Sequence, residues 1–287
     1  MNIFDFSDIS KSEAAIQRTW DEFRSDLANG DFTYDDFNNA KSKTIFFKVF
    51  DDMFSNCHHF FDVSIDAVLS QYITLIRAGR LKPEDPEPTY SRFIPDKNFI
   101  NAHNRFSPPK VEWLYLAIGD IDNAETCALK ECRASSGEIF GLCKFILNKD
   151  FVGKKLVDFT IADNTQYNDI NNQLEMCAEE VCKRKVNEFK RKGYTHFTDT
   201  DEIKDTVLKW VAFTYARLLS KQIFLPVETK DKELMYAPFQ CIAQYLLSLG
   251  YEGIVYSSTV FPKGKNVVLF DKDAAIPTGK IKIIKIK

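Results

Sequence analysis

Apolar residues recur at three- and four-residue intervals along the first eighty positions, the spacing of helices with one buried face. Ile16, Trp20, Phe23 and Leu27 share such a face, with Ser10 and Glu13 fitting a capping box before it and Gly30 a stop after it. "FKVFDDMF" and "SIDAVLSQYITLI" continue the pattern, which predicts a helical N-terminal region over residues 1–82. "LKPEDPEPTY" then sets three prolines among three acids, the composition of a linker or an extended approach to a new unit.

The texture changes from about Tyr90. "VEWLYLAI" and "EIFGLCKFIL" are short and apolar, like buried strands, and they flank a helix candidate, "NAETCALKECR". Long helical periodicity returns over about 160–228 and reads as an insertion. "APFQCIAQYLLSLG" is a further helix closed by Gly250. The chain finishes in strand-like runs, "GIVYSS", "NVVLF" and "KIKIIKI". Strands, then helices, then more strands predict an α+β fold with a mainly antiparallel sheet, its second unit spanning residues 83–287. In the last run Lys280 and Lys282 alternate with Ile281 and Ile283, which suits an edge strand guarded by lysines.

Composition narrows the class. The 287 residues are 45% hydrophobic and 28% charged, with 25 phenylalanines to build a core. No run is long and apolar enough to cross a membrane, and "MNIFDFSDISKSE" lacks the features of a signal peptide. The expected location is cytoplasmic, where the seven cysteines would be reduced thiols. Cys57, His58 and His59 are the only Cys/His cluster, and adjacent histidines rarely face one ion, so no metal is expected. A net charge of −3 argues against a general nucleic-acid binder. No glycine-rich phosphate loop is present, which disfavours P-loop and dinucleotide-fold enzymes.

Two separated stretches carry ordered motifs. The first offers Arg105-Phe106, Leu114 to Ala117, and Thr126 to Glu131. The second offers Tyr236-Ala-Pro-Phe-Gln240, Gly250 to Ser258, and Asn266 to Phe270. In this order the set resembles the RES domain family, bacterial enzymes that degrade NAD, many of them toxins paired with an antitoxin. The resemblance implies an ADP-ribosyltransferase-like core and NAD as a substrate rather than a cofactor, with inorganic phosphate as one candidate co-substrate. It also implies transfer of ADP-ribose to a protein as an alternative outcome.

Those residue types suit that chemistry. The nicotinamide of NAD is cationic and leaves without a general acid, while positive charge builds on the ribose as the glycosidic bond opens. A carboxylate can stabilise that charge, and Glu131 matches the family's glutamate. Arginine's planar fork suits pyrophosphate, and Arg105 and Arg92 match family arginines. Tyr115, expected at the end of its strand, would pack on nicotinamide or ribose. Ser258 matches the family serine and would orient the glutamate or the ribose, with Ser257 as the alternative. Gln240 would support the pocket.

Three features depart from the family pattern. Pro108-Pro109 replaces its usual glycine, a helical insertion separates Glu131 from Tyr236, and the helical N-terminus is extra. The added helices could replace or block an antitoxin surface, and they leave room for an oligomer. Two rival readings stand beside this one. Arg191 and His196, beside "KRKVNEFKRKG", have the R-x4-H spacing of a HEPN-like ribonuclease, although Gly193 would break a helix between them. The other rival is a non-enzymatic interaction module built from the helical parts.

Overall fold

The computed structural model describes residues 4–5, 8–70, 73–82, 88–163, 167–193, 201–223 and 232–287. Helices α1 (Ile9–Asn29), α2 (Phe37–Lys43) and α3 (Ile45–Phe61) lead into β1 (Asp62–Ser64), the single turn α4 (Ile65–Val68) and β2 (Thr74–Leu81). β3 (Leu114–Gly119), α5 (Ile121–Glu131), β4 (Ile139–Leu147) and β5 (Lys155–Asp158) follow. Then come α6 (Tyr167–Lys192), α7 (Asp201–Ile223), α8 (Lys232–Ser248), β6 (Gly253–Ser257), β7 (Lys265–Leu269) and β8 (Ala275–Lys285). Among the described residues the strands form one sheet in the order β1-β5-β6-β7-β3-β2-β4-β8. Every pairing is antiparallel except β5 with β6. The fold is α+β, as the pattern of elements predicted.

The helix expected to run on to Ile76 does not do so, residues 71–72 lying outside the described residues. The helix there stops after α4, and Thr74–Leu81 form a strand near the middle of the sheet, between β3 and β4. Leu75 and Ile76 are both buried, packed into different clusters. A strand covered on two sides loses the alternation that betrays strands, and its apolar run mimics helical spacing. β1 and β2 both precede residue 83, so the sheet begins on the N-terminal side of the expected linker. Residues 83–87 of that linker lie outside the described residues.

The first helix is capped two positions earlier than expected. Asp8, not Ser10, accepts from the backbone N–H groups of Ser10 (3.0 Å) and Lys11 (3.3 Å). Gly30 ends the helix at φ 76°, a left-handed conformation that glycine adopts at little cost.

α1, α3, α7 and α8 bury an aromatic cluster against one face of the sheet. The Trp20 ring meets Phe239 of α8 at 4.9 Å and Phe46 of α3 at 5.0 Å. The cluster reaches the sheet through Ile254, Tyr256 and Val268. α5 covers another part of the sheet, with Ala124, Cys127 and Ala128 packed on Ile76, Ala117 and Leu142. The fit beneath α5 is close: a Cβ on Gly264 would lie 2.5 Å from Cys127 Sγ. β8 forms one edge of the sheet and carries the alternating lysines, with Lys282 paired to Glu125 of α5 at 2.6 Å.

Candidate active site

Two neighbouring interior strands, β2 and β3, part partway along their length. β2 pairs with β3 from Thr74↔Gly119 to Ile76↔Ala117, where the pairing ends. Beyond that point Arg77 and Ala78 of β2, and Tyr115 and Leu116 of β3, line a cavity of about 290 Å³. A second cavity of about 220 Å³ shares Asn104, Tyr115, Glu131 and Tyr256 with the first. Glu131 therefore stands where the two meet.

The placement of Glu131 follows from its helix and its sheet neighbours. It is the last residue of α5, and the chain turns away through Arg133, whose φ of 50° is unusual for a residue with a side chain. A carboxylate at a helix C-terminus faces the negative end of the helix dipole. Two donors offset this. Ser258 Oγ donates to Glu131 Oε1 at 2.8 Å, and Asn266 Nδ2 donates to the same oxygen at 2.6 Å. Asn266 sits on β7 opposite Ala117 of β3 and Tyr256 of β6, so one row across three strands underlies the carboxylate. Both bonds converge on Oε1. Among the described residues Oε2 accepts none.

The Asn266 amide is itself held. Its Oδ1 accepts from the Cys127 thiol at 3.4 Å, which fixes the NH2 group toward Glu131. Burial pushes the Cys127 thiol up to about 12, so the sulfur keeps its hydrogen.

Two guanidinium groups flank this carboxylate. Arg105 lines the smaller cavity, its guanidinium lying 5.6 Å from the Tyr236 ring centroid and 5.9 Å from that of Phe239. Arg77 lines the larger one. Nη1 of each is buried with no hydrogen-bond partner, an arrangement that costs free energy unless a ligand supplies an acceptor. Burial draws the Arg77 guanidinium below its ordinary value, partly countered by its neighbours. The sequence reading missed Arg77 because it took that stretch for helix. The available signal was an arginine following the β-branched, apolar run Ile73 to Ile76.

Other expected residues are distributed as follows. Tyr115 is the second residue of β3 rather than its end, and its hydroxyl lies 2.9 Å from Ser107 Oγ. Burial raises that hydroxyl far above its usual value, so it acts as a neutral group. Ser257 is turned away from Glu131 and bonds to Asp163. Gln240 is buried on α8 and donates to the Asn104 carbonyl at 3.0 Å, bracing the cavity wall. Arg92 lies one cavity further out, with Nη2 donating to the Arg80 carbonyl at 3.0 Å. Tyr256 lines both cavities at Glu131, though the sequence reading gave it no role.

Elsewhere, a cavity of about 520 Å³ at the far edge of the sheet holds His58 and Lys155, both already paired with Asp62. α6 ends at Lys192 and Gly193 follows with φ 76°, so Arg191 closes a helix, and His196 lies outside the described residues.

Residues 174–282 match the RES domain model. That segment is similar to the RES domain, the family that the ordered motifs resemble. The matched segment covers a little over a third of the chain. It takes in Ser258 and Asn266, and also most of α6 and all of α7; Arg77, Arg105, Tyr115 and Glu131 precede it. No curated protein and no solved structure matches the chain. No helix among the described residues is long and apolar enough to cross a membrane.

Proposed function

We propose that this protein consumes NAD by breaking the bond between nicotinamide and ribose. The observation that carries this reading is the Glu131 carboxylate, pinned through Oε1 by Ser258 and Asn266, at the junction of two cavities that each bury an unpartnered guanidinium nitrogen. Nicotinamide leaves with the glycosidic electron pair and becomes neutral as it goes. The ribose acquires the positive charge, and the free oxygen of Glu131 stabilises it while the other oxygen stays anchored. A carboxylate held in advance needs no reorganisation as charge develops. Arg77 and Arg105 supply the donors that a pyrophosphate satisfies with paired, charge-assisted bonds.

Tyr115 and Tyr256 provide aromatic walls beside Glu131 and remain neutral, both hydroxyls being raised by burial. The acceptor completes the reaction. Water yields ADP-ribose and a proton, phosphate yields a ribose 1-phosphate ester, and a protein side chain yields an ADP-ribosylated protein. The biological reading is a growth-arresting toxin or defence effector, restrained in its cell by an inhibitory protein.

The test is incubation of the purified protein with NAD, with and without phosphate, reading nicotinamide and the ribose-containing products by mass spectrometry. Nicotinamide release abolished by Glu131→Gln supports the assignment. NAD left intact by the folded protein overturns it. Free expression in bacteria should lower cellular NAD and stop growth.

A further inference from the structure

The cleft does not end at Arg77. A third cavity, about 540 Å³, lies beyond it and shares Arg77, Pro95 and Ile100 with the cavity at Glu131. Its volume is within the ~300–1,000 Å³ usual for small-molecule sites. Phe99 stands in its wall and is 80% exposed.

A single exposed apolar side chain is ordinary on a protein surface. Two further observations change the weight of this one. Phe99 is held out by a braced turn: its N–H donates to the Asp96 carbonyl at 2.9 Å, and Asp96 Oδ1 accepts from the Asn98 N–H at 2.8 Å. The next residue, Ile100, accepts through its carbonyl from the Lys110 N–H at 3.0 Å. The aromatic also shares its cavity with the unsatisfied Arg77 guanidinium, with Arg92, and with the hydroxyls of Thr89 and Ser91, which lie 2.7 Å apart.

An exposed ring, two guanidinium groups and a hydroxyl pair match the parts of a purine nucleotide. A base stacks on the ring, phosphates take the arginines, and ribose hydroxyls meet the Thr89–Ser91 pair. We infer that this outer cavity binds the purine nucleoside end of the dinucleotide whose other end reacts at Glu131. The inference rests on the NAD reading for the identity of the whole substrate. The subsite itself would bind ADP whether or not any bond is cleaved.

That independence gives the test. The full chain is titrated calorimetrically with ADP and with nicotinamide mononucleotide, as wild type, Phe99→Ala and Phe99→Tyr. ADP should bind the wild type, and Phe99→Ala should weaken it roughly ten- to hundred-fold, the scale of one base–aromatic stack. Phe99→Tyr should restore ADP binding, and nicotinamide mononucleotide should bind all three alike. No ADP binding, an unchanged ADP affinity in Phe99→Ala, or equal weakening of both ligands overturns the inference. Phe99-dependent ADP binding in a protein that leaves NAD intact sinks the reaction and keeps the subsite. Nicotinamide release with an unchanged KM in Phe99→Ala does the reverse.

Discussion

Ser258 gives its only hydroxyl hydrogen to Glu131. Its Oγ lies 2.8 Å from Oε1, while the same oxygen accepts from the N–H groups of Val260 at 3.3 Å and Phe261 at 3.1 Å. With both lone pairs engaged, the hydrogen has one direction left. Ser258 thus acts as an orienting donor and not as a nucleophile.

Ser258→Ala removes one of two donors to a charged oxygen, a loss of about 1.5–3 kcal/mol. The expected result is a kcat lowered roughly ten- to hundred-fold with little change in KM. Ser257→Ala, which loses only a bond to Asp163, should leave both constants near wild type. Steady-state nicotinamide release decides between the two serines.

Glu131 and the arginines should fail in different ways. Glu131→Gln keeps the shape and removes the charge, so kcat should drop by ~10²–10³ with NAD binding nearly intact. On the proposed reading the arginines grip the pyrophosphate throughout the reaction, so Arg77→Ala and Arg105→Ala should raise KM instead. Comparing NAD affinity in the inactive Glu131→Gln background, with and without each arginine, separates binding from turnover.

The Cys127 thiol supports Asn266 through its hydrogen. Cys127→Ser keeps a donor and should retain most activity. Cys127→Val leaves Asn266 Oδ1 without its donor and frees the amide to turn, so kcat should fall several-fold with KM unchanged. Since burial pushes the thiol up to about 12, the Cys127→Ser and wild-type rate profiles should run parallel between pH 6 and 10. A divergence within that range would show that the sulfur ionises.

Asp62 is a stability probe away from the cleft. Burial alone would raise its carboxyl, but bonds from Lys155 (2.7 Å), Tyr251 (2.5 Å) and His58 (3.4 Å) outweigh it and hold the group below its usual value. A depressed folded value means stability that is present above the unfolded value of about 3.9 and lost as pH falls through the folded one. Asp62→Asn should therefore be less stable than wild type near neutrality, with the gap closing in acid. Urea unfolding at pH 7, 5 and 3 measures it.

Deleting residues 1–82 should abolish folding. The deletion removes β2 from the interior of the sheet and exposes Phe239, Tyr215 and Tyr245 of the aromatic cluster. Loss of near-ultraviolet circular dichroism in the shortened chain is the expected outcome. A soluble, cooperative fold would show that the helical layer is an appendage.

Much of this architecture was legible in the residues. The face of Ile16, Trp20, Phe23 and Leu27, the strands around Tyr115 and Val267, and the stops at Gly30 and Gly250 all follow from local spacing and turn chemistry. What escaped were the short strands β1 and β5 and, above all, β2, whose burial on both sides removes the alternating signature of a strand. Arg77 was lost with it, since a side chain's role cannot be read from a misassigned element. The site was legible only in part. Glu131 and Ser258 could be singled out as chemistry-bearing, but no periodicity specifies that they meet. Asn266 and Cys127 gain a role only when β7 passes beneath α5.

Glu131 meets its two partners across sequence separations of 127 and 135 residues. Ser258 directly follows β6 and Asn266 lies in β7, both made well after α5. During synthesis the carboxylate therefore exists long before anything holds it. A chain emerging from the ribosome carries an unaligned glutamate, and the anchored one appears only when β6 and β7 join the sheet. The geometry that holds the carboxylate thus exists only once β7 has been made, and a chain stopped before Ser258 lacks both anchors.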